Sequence, residues 1–219
     1  MPETSFTPAL GRAGLTRGYD HAIRLLTREK TWRGALLRQV GPRAGDAILD
    51  VGCGTGTFTI MLKRAAPQAR IIGLDPDPQV LAIAAEKASQ AGVAVEWRQG
   101  FAHDAATVAG RVDKAVSSLV FHQVPLDGKR EGVAAMFAAL RPGGEVHIAD
   151  YAWQRARLMR MLFRSTVQMI DGVADTQPNA DGALEDILGH HDASAAVPIA
   201  VIPTFTGAIS LFRGTKSSA

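Results

Sequence analysis

The sequence predicts an α/β fold, a doubly wound and mostly parallel sheet of seven strands. Three observations predict it. Strand-like apolar runs alternate five times with helical patterns between residues 47 and 151, as in a parallel sheet with crossover helices. A glycine-rich turn follows the first of these strands. Two further strand-like runs with a short connection, at 197–204 and 207–213, predict a closing hairpin.

Composition and charge narrow the class of protein. The 219 residues are 47% hydrophobic and 21% charged, which is ordinary for a globular protein. A net charge of +3 is too small to predict nucleic-acid binding without a concentrated basic face. Cys53 is the single cysteine, which rules out an internal disulfide and cysteine-cluster metal sites. No apolar stretch approaches the length of a membrane span, so we expect no membrane insertion and a cytoplasmic location.

The glycine-rich turn is the stretch that is most informative about function. It follows Asp50 and places Gly52, Gly54 and Gly56 at alternate positions. Missing side chains let the backbone approach a ligand, and the amides of the new helix point at it. A dinucleotide fingerprint would place its third glycine at position 57, where Thr57 stands. A carboxylate at Asp50 suits a ligand with an ammonium group better than one with a pyrophosphate.

A second acidic residue ends the second predicted strand. Asp75 lies 19 residues beyond Gly56, the separation expected for a carboxylate that binds both hydroxyls of a ribose. Capping of the following helix is the alternative role, but Asp77 is better placed for it, with Pro78 in the first turn. Asp127 is predicted in the same way to cap the helix after the fourth strand.

Together these motifs resemble those of class I S-adenosylmethionine-dependent methyltransferases. The glycine spacing at 52–56 resembles the first motif of that family. The phrase at 140–144 (leucine, arginine, proline, two glycines), followed by a strand that ends in Asp150, is very characteristic of it. Residues 117–124 are similar to the fourth motif of its small-molecule members. The resemblance covers about 45–150 strongly.

The resemblance implies a Rossmann-like methyltransferase fold, S-adenosylmethionine as cofactor and a small-molecule methyl acceptor. The similar group is the type 11/25-like one that contains quinone-biosynthesis enzymes. We expect a single domain, 1–219, with four segments. These are an arm and cap helices at 1–44, a cofactor-binding core at 45–150, a helical substrate-cap insertion at 151–195 and a strand hairpin at 196–219.

The cofactor-binding residues that the resemblance implies share one crevice at the carboxyl ends of the strands. Asp50 would meet the methionine ammonium, directly or through water, and Leu119 would offer it a backbone carbonyl. Asp75 would hold the ribose. The others are Tyr19 in the cap helices, Gly52, Cys53 and Gly54 in the loop, Pro76 against the adenine, and Phe101 with Ala102 in the adenine slot. Phe101 replaces an aspartate that the family often has there.

His122 is the predicted catalytic residue, because it follows the fourth strand, where the resemblance places the transferable methyl group. A neutral histidine there could take a proton from a hydroxyl, thiol or ammonium nucleophile. The alternative is that His122 shapes the pocket or bonds a neighbouring backbone group. His190 and His191 lie next to each other without a fixed third ligand, so we predict no metal site.

Residues 151–195 have no readable counterpart in the family. A helical pattern over 153–170 places Arg157, Arg160 and Arg164 on one face, and 171–195 are predicted as a loop with a brief helical run at 184–188. The helix could form a lid over the acceptor, pack in the core or make a dimer contact. A homodimer stays open for the same reason.

Two other functions stay open at this point. A nicotinamide-dependent oxidoreductase is disfavoured by the glycine spacing and by the acidic residue before the loop. A non-catalytic S-adenosylmethionine-binding protein would carry the same loop and ribose carboxylate. Methylation of nucleic acid is disfavoured, because the Asn/Asp-Pro-Pro-Tyr form of the fourth motif is absent from 117–124.

Overall fold

The computed structural model describes residues 27–109 and 111–218. Its strands are β1 (Ala47–Val51), β2 (Arg70–Asp75), β3 (Glu96–Gln99), β4 (Val112–Ser118), β5 (Leu140–Tyr151), β6 (Ala200–Thr204) and β7 (Gly207–Thr215). Its helices are α1 (Glu29–Val40), α2 (Thr57–Ala65), α3 (Pro78–Gln90), α4 (Ala105–Ala109), α5 (Leu126–Ala139), α6 (Arg157–Ser165), α7 (Val167–Asp171), α8 (Val173–Ala180) and α9 (Ala183–His191). Single 3₁₀ turns lie at 102–104, 121–123 and 193–196.

The seven strands form one sheet in the order β3-β2-β1-β4-β5-β7-β6. Neighbours from β3 through β5 are parallel, whereas β7 runs antiparallel to both β5 and β6. The predicted doubly wound, mostly parallel sheet with a closing hairpin is therefore confirmed. Strand order reverses between β1 and β4, and sheets of this kind bind ligands outside the carboxyl ends of the strands at such a point.

Helices cover both faces of the sheet, because the central strands are apolar on both sides. Leu49 packs in one core cluster, which includes side chains of α5 and α9. Ile48, the preceding residue of β1, packs in a second cluster with Trp32 and Leu36 of α1. Successive side chains of a strand point to opposite faces, so the two clusters lie on opposite sides of the sheet.

The two helix caps predicted from the sequence have different outcomes. Asp77 caps α3 as predicted, since its Oδ1 accepts the amide of Gln79 at 2.8 Å. Asp127 does not cap α5, because Pro125 occupies the cap position and no side chain bonds the first turn. The Asp127 carboxylate instead pairs with Arg130 at 2.9 Å in an exposed position.

The helical run predicted at 184–188 is confirmed, since it lies in α9. The prediction of a loop over the rest of 171–195 is wrong, because α8 and the ends of α7 and α9 occupy most of it. Gly172 and Gly182, both with positive φ, separate the short helices. Polar side chains are buried here because they bond the backbone: Asn179 donates to the carbonyl of Tyr151 at 2.7 Å, and Thr176 donates to the carbonyl of Gly172. Because these buried side chains are polar, the segment lacks the apolar pattern of a helix, and the sequence predicts a loop.

Candidate active site

A cavity of about 670 Å³ lies at the carboxyl ends of β1, β2, β3 and β4. It joins residues that the sequence predicts to act together but that lie far apart in the chain. The predicted residues that line it are Gly52, Cys53, Gly54, Asp75, Pro76, Phe101, Ala102 and Leu119. Tyr19 lies outside the described residues.

The glycine loop passes close to the wall formed by the residues after β4. Gly52 has φ +68, and a Cβ placed on it would lie 2.3 Å from a methyl carbon of Val120, so no other residue fits without movement. Gly54 has φ +53, and a Cβ placed on it would meet nothing within 4 Å. Both residues line the cavity, which gives a ligand direct access to the backbone of the loop.

Asp75 connects the glycine loop to the start of α3. Its Oδ2 accepts the amide of Gly54 at 2.9 Å, and its Oδ1 accepts the amide of Asp77 at 3.0 Å. Burial raises the pKa of this carboxyl, and the two amide hydrogen bonds act against that rise. Each carboxylate oxygen can accept more than one hydrogen bond, so Asp75 can still bind hydroxyl groups in the cavity that it lines.

Asp50 lies behind the cavity wall and is not among the lining residues. The carboxylate is fully buried, with Oδ2 accepting the hydroxyl of Thr59 at 2.6 Å. Its Oδ1 has no hydrogen-bond partner among the described residues. Burial raises the pKa of Asp50 to about 7, although the Thr59 hydrogen bond lowers it. The placement does not support direct contact with a ligand, and a contact through water stays a prediction.

Phe101 and Ala102 form the end of the cavity that follows β3. The amide of Phe101 donates to Oδ2 of Asp104 at 2.9 Å, which fixes the turn. Its ring stacks on His103 with the centroids 5.6 Å apart and the planes 12° apart. His103 also lines the cavity, although the sequence assigns it no role.

The loop after β4 is held in a strained conformation by Asp150 at the end of β5. Leu119 has φ +55, a left-handed conformation that costs a residue with a side chain roughly 1–2 kcal/mol. Oδ2 of Asp150 accepts the amides of Val120 and Phe121 at 2.9 and 2.7 Å. These bonds fix the backbone that presents Leu119 to the cavity.

His122 is buried and is not a lining residue. Its Nδ1 bonds Oδ1 of Asp150 at 2.7 Å, and its Nε2 lies 3.4 Å from Oδ2 of Asp171. Burial alone would lower the pKa of His122, but the charge and hydrogen bond of Asp150, with those of Asp171, raise it to about 9. Both ring nitrogens face carboxylates, so the geometry favours a charged positioning residue over the predicted general base.

Lys129 of α5 is a buried residue of the site that sequence reasoning missed. Its ammonium donates to the carbonyl of Phe121, to that of His122 at 3.3 Å and to that of Asp175 at 2.8 Å. Burial lowers its pKa to about 8, against the nearby charges of Asp150 and Asp175. Lys129 stands in a charged, polar stretch of the sequence, where nothing distinguishes it from a surface lysine.

Lys129 itself does not line the cavity. Sequence reasoning also left lining residues without a role, some inside the glycine motif or in 117–124 and some in segments that carry no motif. They are Arg33, Thr55, Thr57, Phe58, Gly100, His103, Ser118, Val120, Gln123, Val124, Pro125, Gly128, Glu131 and Asp175. In the part of the chain that the structure describes, no group of three or more histidine, cysteine or acidic residues is placed to hold a metal ion. Among the same residues, no helix is long and apolar enough to cross a bilayer.

Residues 48–144 match the family model described as a methyltransferase domain. With the sheet order and the cavity, this match confirms the resemblance found in the sequence. The segment is a class I S-adenosylmethionine-dependent methyltransferase domain, and S-adenosylmethionine is the cofactor of that class.

Three proteins illustrate what parts of this chain are similar to. A demethylmenaquinone methyltransferase of Deinococcus radiodurans is 28% identical over 160 residues, 72% of this chain and 66% of that protein. A ubiquinone biosynthesis O-methyltransferase of Azorhizobium caulinodans is 37% identical over 87 residues, 40% of this chain and 34% of that protein. The chain thus spans only part of the length of these curated relatives.

The third protein is a solved structure that shares the fold. The magnesium protoporphyrin IX methyltransferase of Synechocystis, solved with bound S-adenosylmethionine, superposes with a TM-score of 0.66 at 15% identity. The superposition covers 93% of this chain and 86% of that one. At this identity the likeness concerns the fold alone, and it supports the Rossmann-like assignment.

Proposed function

We propose that this chain transfers a methyl group from S-adenosylmethionine to a small-molecule acceptor. One observation carries the proposal: a single cavity joins the glycine loop, the carboxylate of Asp75 and the strained loop at Leu119. Its volume of about 670 Å³ falls in the range of roughly 300–1,000 Å³ that is usual for small-molecule sites. The names of two relatives, a demethylmenaquinone methyltransferase and a ubiquinone biosynthesis O-methyltransferase, support a small-molecule acceptor.

The described residues fit the cofactor. Gly54 leaves open space where a side chain would stand, so we place the methionine portion beside Gly52 and Gly54. Asp75 would bind the ribose hydroxyls. Leu119 would direct a backbone carbonyl to the ammonium group. Phe101, Ala102 and Pro76 would enclose the adenine, and Cys53 would fill the loop. Asp50 would reach the ammonium group only through water, and Tyr19 keeps the cofactor role that the resemblance implies.

When bound, the cofactor supplies an electrophilic methyl group whose thioether leaving group needs no proton. The protein then has to align the acceptor with the methyl carbon and exclude water. The bonds from Asp150 to Val120 and Phe121 stiffen the wall on which this alignment depends. In this proposal His122 acts by holding that wall through Asp150.

Calorimetry with S-adenosylhomocysteine and with NADH tests the cofactor. We expect the wild type to bind S-adenosylhomocysteine and not NADH. Asp75→Asn should weaken that binding at least tenfold, because hydrogen bonds to a charged group contribute about 1.5–3 kcal/mol each. Asp186→Asn, at an exposed position of α9, is the matched control and should bind S-adenosylhomocysteine as tightly as the wild type does.

The remaining outcomes separate the alternatives. Binding of NADH alone would overturn the proposal in favour of an oxidoreductase. Binding of S-adenosylhomocysteine without methylation of any compound in a broad acceptor panel would favour a non-catalytic binding protein. Circular dichroism and thermal melting of Asp75→Asn check that the variant folds, since Asp75 also accepts the amides of Gly54 and Asp77.

A further inference from the structure

We propose that Asp175 accepts the proton of the methyl acceptor, and that the acceptor therefore carries a hydroxyl or an amine. This inference rests on the proposed function and names the substrate class of the same cavity. It starts from the only residue of the described 151–195 insertion that lines the cavity, which is Asp175. Within the described residues, the insertion thus contributes an acidic residue to the cavity lining and no apolar one.

Within the described residues, the carboxylate of Asp175 acts on Lys129 through its charge and not through a hydrogen bond. Among the described residues, no hydrogen bond or ion pair involves its side chain. Asp175 lies in the first turn of α8, where a negative charge is favourable. However, its side chain accepts no amide of that turn, since Gly172 is the cap residue and no side-chain cap bond is present. Helix capping therefore does not explain this residue.

Lys129 fixes the position of Asp175 relative to the loop after β4. One ammonium donates to the carbonyl of Asp175 at 2.8 Å and to the carbonyls of Phe121 and His122. The start of α8 is therefore tied to the loop in which Leu119 and Val120 line the cavity. The backbone of Asp175 is thus held near the wall to which we assign the methionine portion of the cofactor.

The other acidic residues of the cavity are less suited to this role. Asp75 already accepts the amides of Gly54 and Asp77. Glu131 is exposed and adjoins Gly132, on which a Cβ would lie 2.8 Å from the Cβ of Ala102. Glu131 therefore belongs to the proposed adenine end. This leaves Asp175 as the carboxylate at the reacting end.

The proton has a defined destination in the transfer step. A lone pair of the acceptor oxygen or nitrogen forms the bond to the methyl carbon, and the carbon–sulfur bond breaks with its electron pair moving to sulfur. The acceptor proton passes to the Asp175 carboxylate, which balances the charge. A carboxylate recognises O–H and N–H groups, which are strong donors, better than S–H, which is a weak one. Lys129 is a positioning residue in this step.

A panel of simple phenols, catechols, primary amines and thiols tests the inference with the full chain. We expect methylation of a hydroxyl or an amine compound. In Asp175→Asn, kcat for that compound should fall by about 100-fold, the lower range for loss of a general base. The affinity of the acceptor compound for the complex of the variant with S-adenosylhomocysteine, measured by calorimetry, should fall only about tenfold, as expected for the loss of one charged hydrogen bond. Asp175→Glu should recover part of kcat.

Two controls keep the outcome interpretable. Asp186→Asn removes a carboxylate of the same insertion that does not line the cavity and should keep the wild-type kcat. Asp175→Asn should bind S-adenosylhomocysteine within about twofold of the wild type, because Asp175 does not hold the cofactor.

Specific results would overturn the inference. One is an unchanged kcat in Asp175→Asn. Another is an S-adenosylhomocysteine-binding wild type that methylates thiols but none of the phenols and amines. A wild type that methylates no compound of the panel would count against the proposed function. Failure of the wild type to bind S-adenosylhomocysteine would instead overturn the proposed function.

Discussion

The imidazole of His122 is held between two carboxylates from different parts of the chain. Asp150 ends a core strand, and Asp171 ends a helix of the insertion. Two close carboxylates stabilise the charged form of the ring, and this effect exceeds the opposing effect of burial, so the pKa rises to about 9. Through Asp171, His122 therefore connects the insertion to the loop after β4, in which His122 lies.

This placement predicts a pH-dependent contribution of His122 to stability. The folded state holds the proton more tightly than the unfolded state, whose histidine pKa is about 6.5. The contribution is thus fully present below about pH 6.5 and is lost as the pH rises through about 9. The difference in free energy of unfolding between wild type and His122→Asn should shrink by on the order of 3 kcal/mol between pH 6 and pH 10.

Urea denaturation at several pH values measures this difference. Comparing the two proteins at each pH removes the titration of buried groups that do not contact His122 or its partners, such as Asp50. Val197→Ala, at a position that is 68% exposed and carries no titratable group, is the control and should show no such trend. A difference for His122→Asn that stays constant over this pH range would show that the ring is not held as a cation.

The residues of the site differ in how visible they are in the sequence. Asp75 could be predicted, because the path from the glycine loop through one helix and one strand fixes its distance along the chain. Lys129 and Asp175 could not, because they meet only when the insertion packs on the loop after β4. Their roles depend on tertiary contacts for which the sequence carries no spacing signal.

At the scale of elements, Asp77 and Asp127 form a natural pair for testing what a helix cap contributes. Asp77 accepts amides of the first turn of α3, whereas Asp127 makes only an exposed ion pair. Asp77→Ala should lower the free energy of unfolding by about 1 kcal/mol, the usual effect of losing a cap. Asp127→Ala should change it by less than about 0.5 kcal/mol.

Urea denaturation of both variants at neutral pH gives the comparison. Asp77→Ser, which keeps a capping oxygen, should restore most of the lost stability. Equal effects of the two alanine substitutions would show that the cap geometry at Asp77 is not what stabilises α3. The sequence could not separate the two residues, since both are acids that precede a helical pattern, and Pro125 takes the cap position only in the folded chain.

At the scale of the whole molecule, the sheet could be predicted from the sequence better than the insertion at 151–195. The central strands show apolar runs that alternate with helical patterns, so the doubly wound, mostly parallel arrangement could be predicted. The insertion follows no such rule. Its helices are short, and buried polar residues such as Thr176 and Asn179 interrupt the apolar pattern.

The insertion nevertheless contributes to both core clusters. Leu184 and Leu188 of α9 pack in the cluster that contains Leu49, and Phe163 of α6 packs in the one that contains Ile48. Unfolding the insertion would therefore expose apolar surface on both faces of the sheet. We expect the insertion and the sheet to unfold together, as the predicted single domain requires.

Substitution of Leu188 tests this cooperativity, because its side chain is fully buried. Leu188→Ala should lower the free energy of unfolding by about 2–5 kcal/mol. Native-state hydrogen exchange should show equal losses of protection in α9 and in β1, since a single cooperative unit opens as a whole. Val197→Ala, at a position that is 68% exposed, should change the stability by less than about 0.5 kcal/mol. If the amides of α9 lose protection while those of β1 keep theirs, the insertion unfolds as a separate unit and the cavity can open without disturbing the sheet.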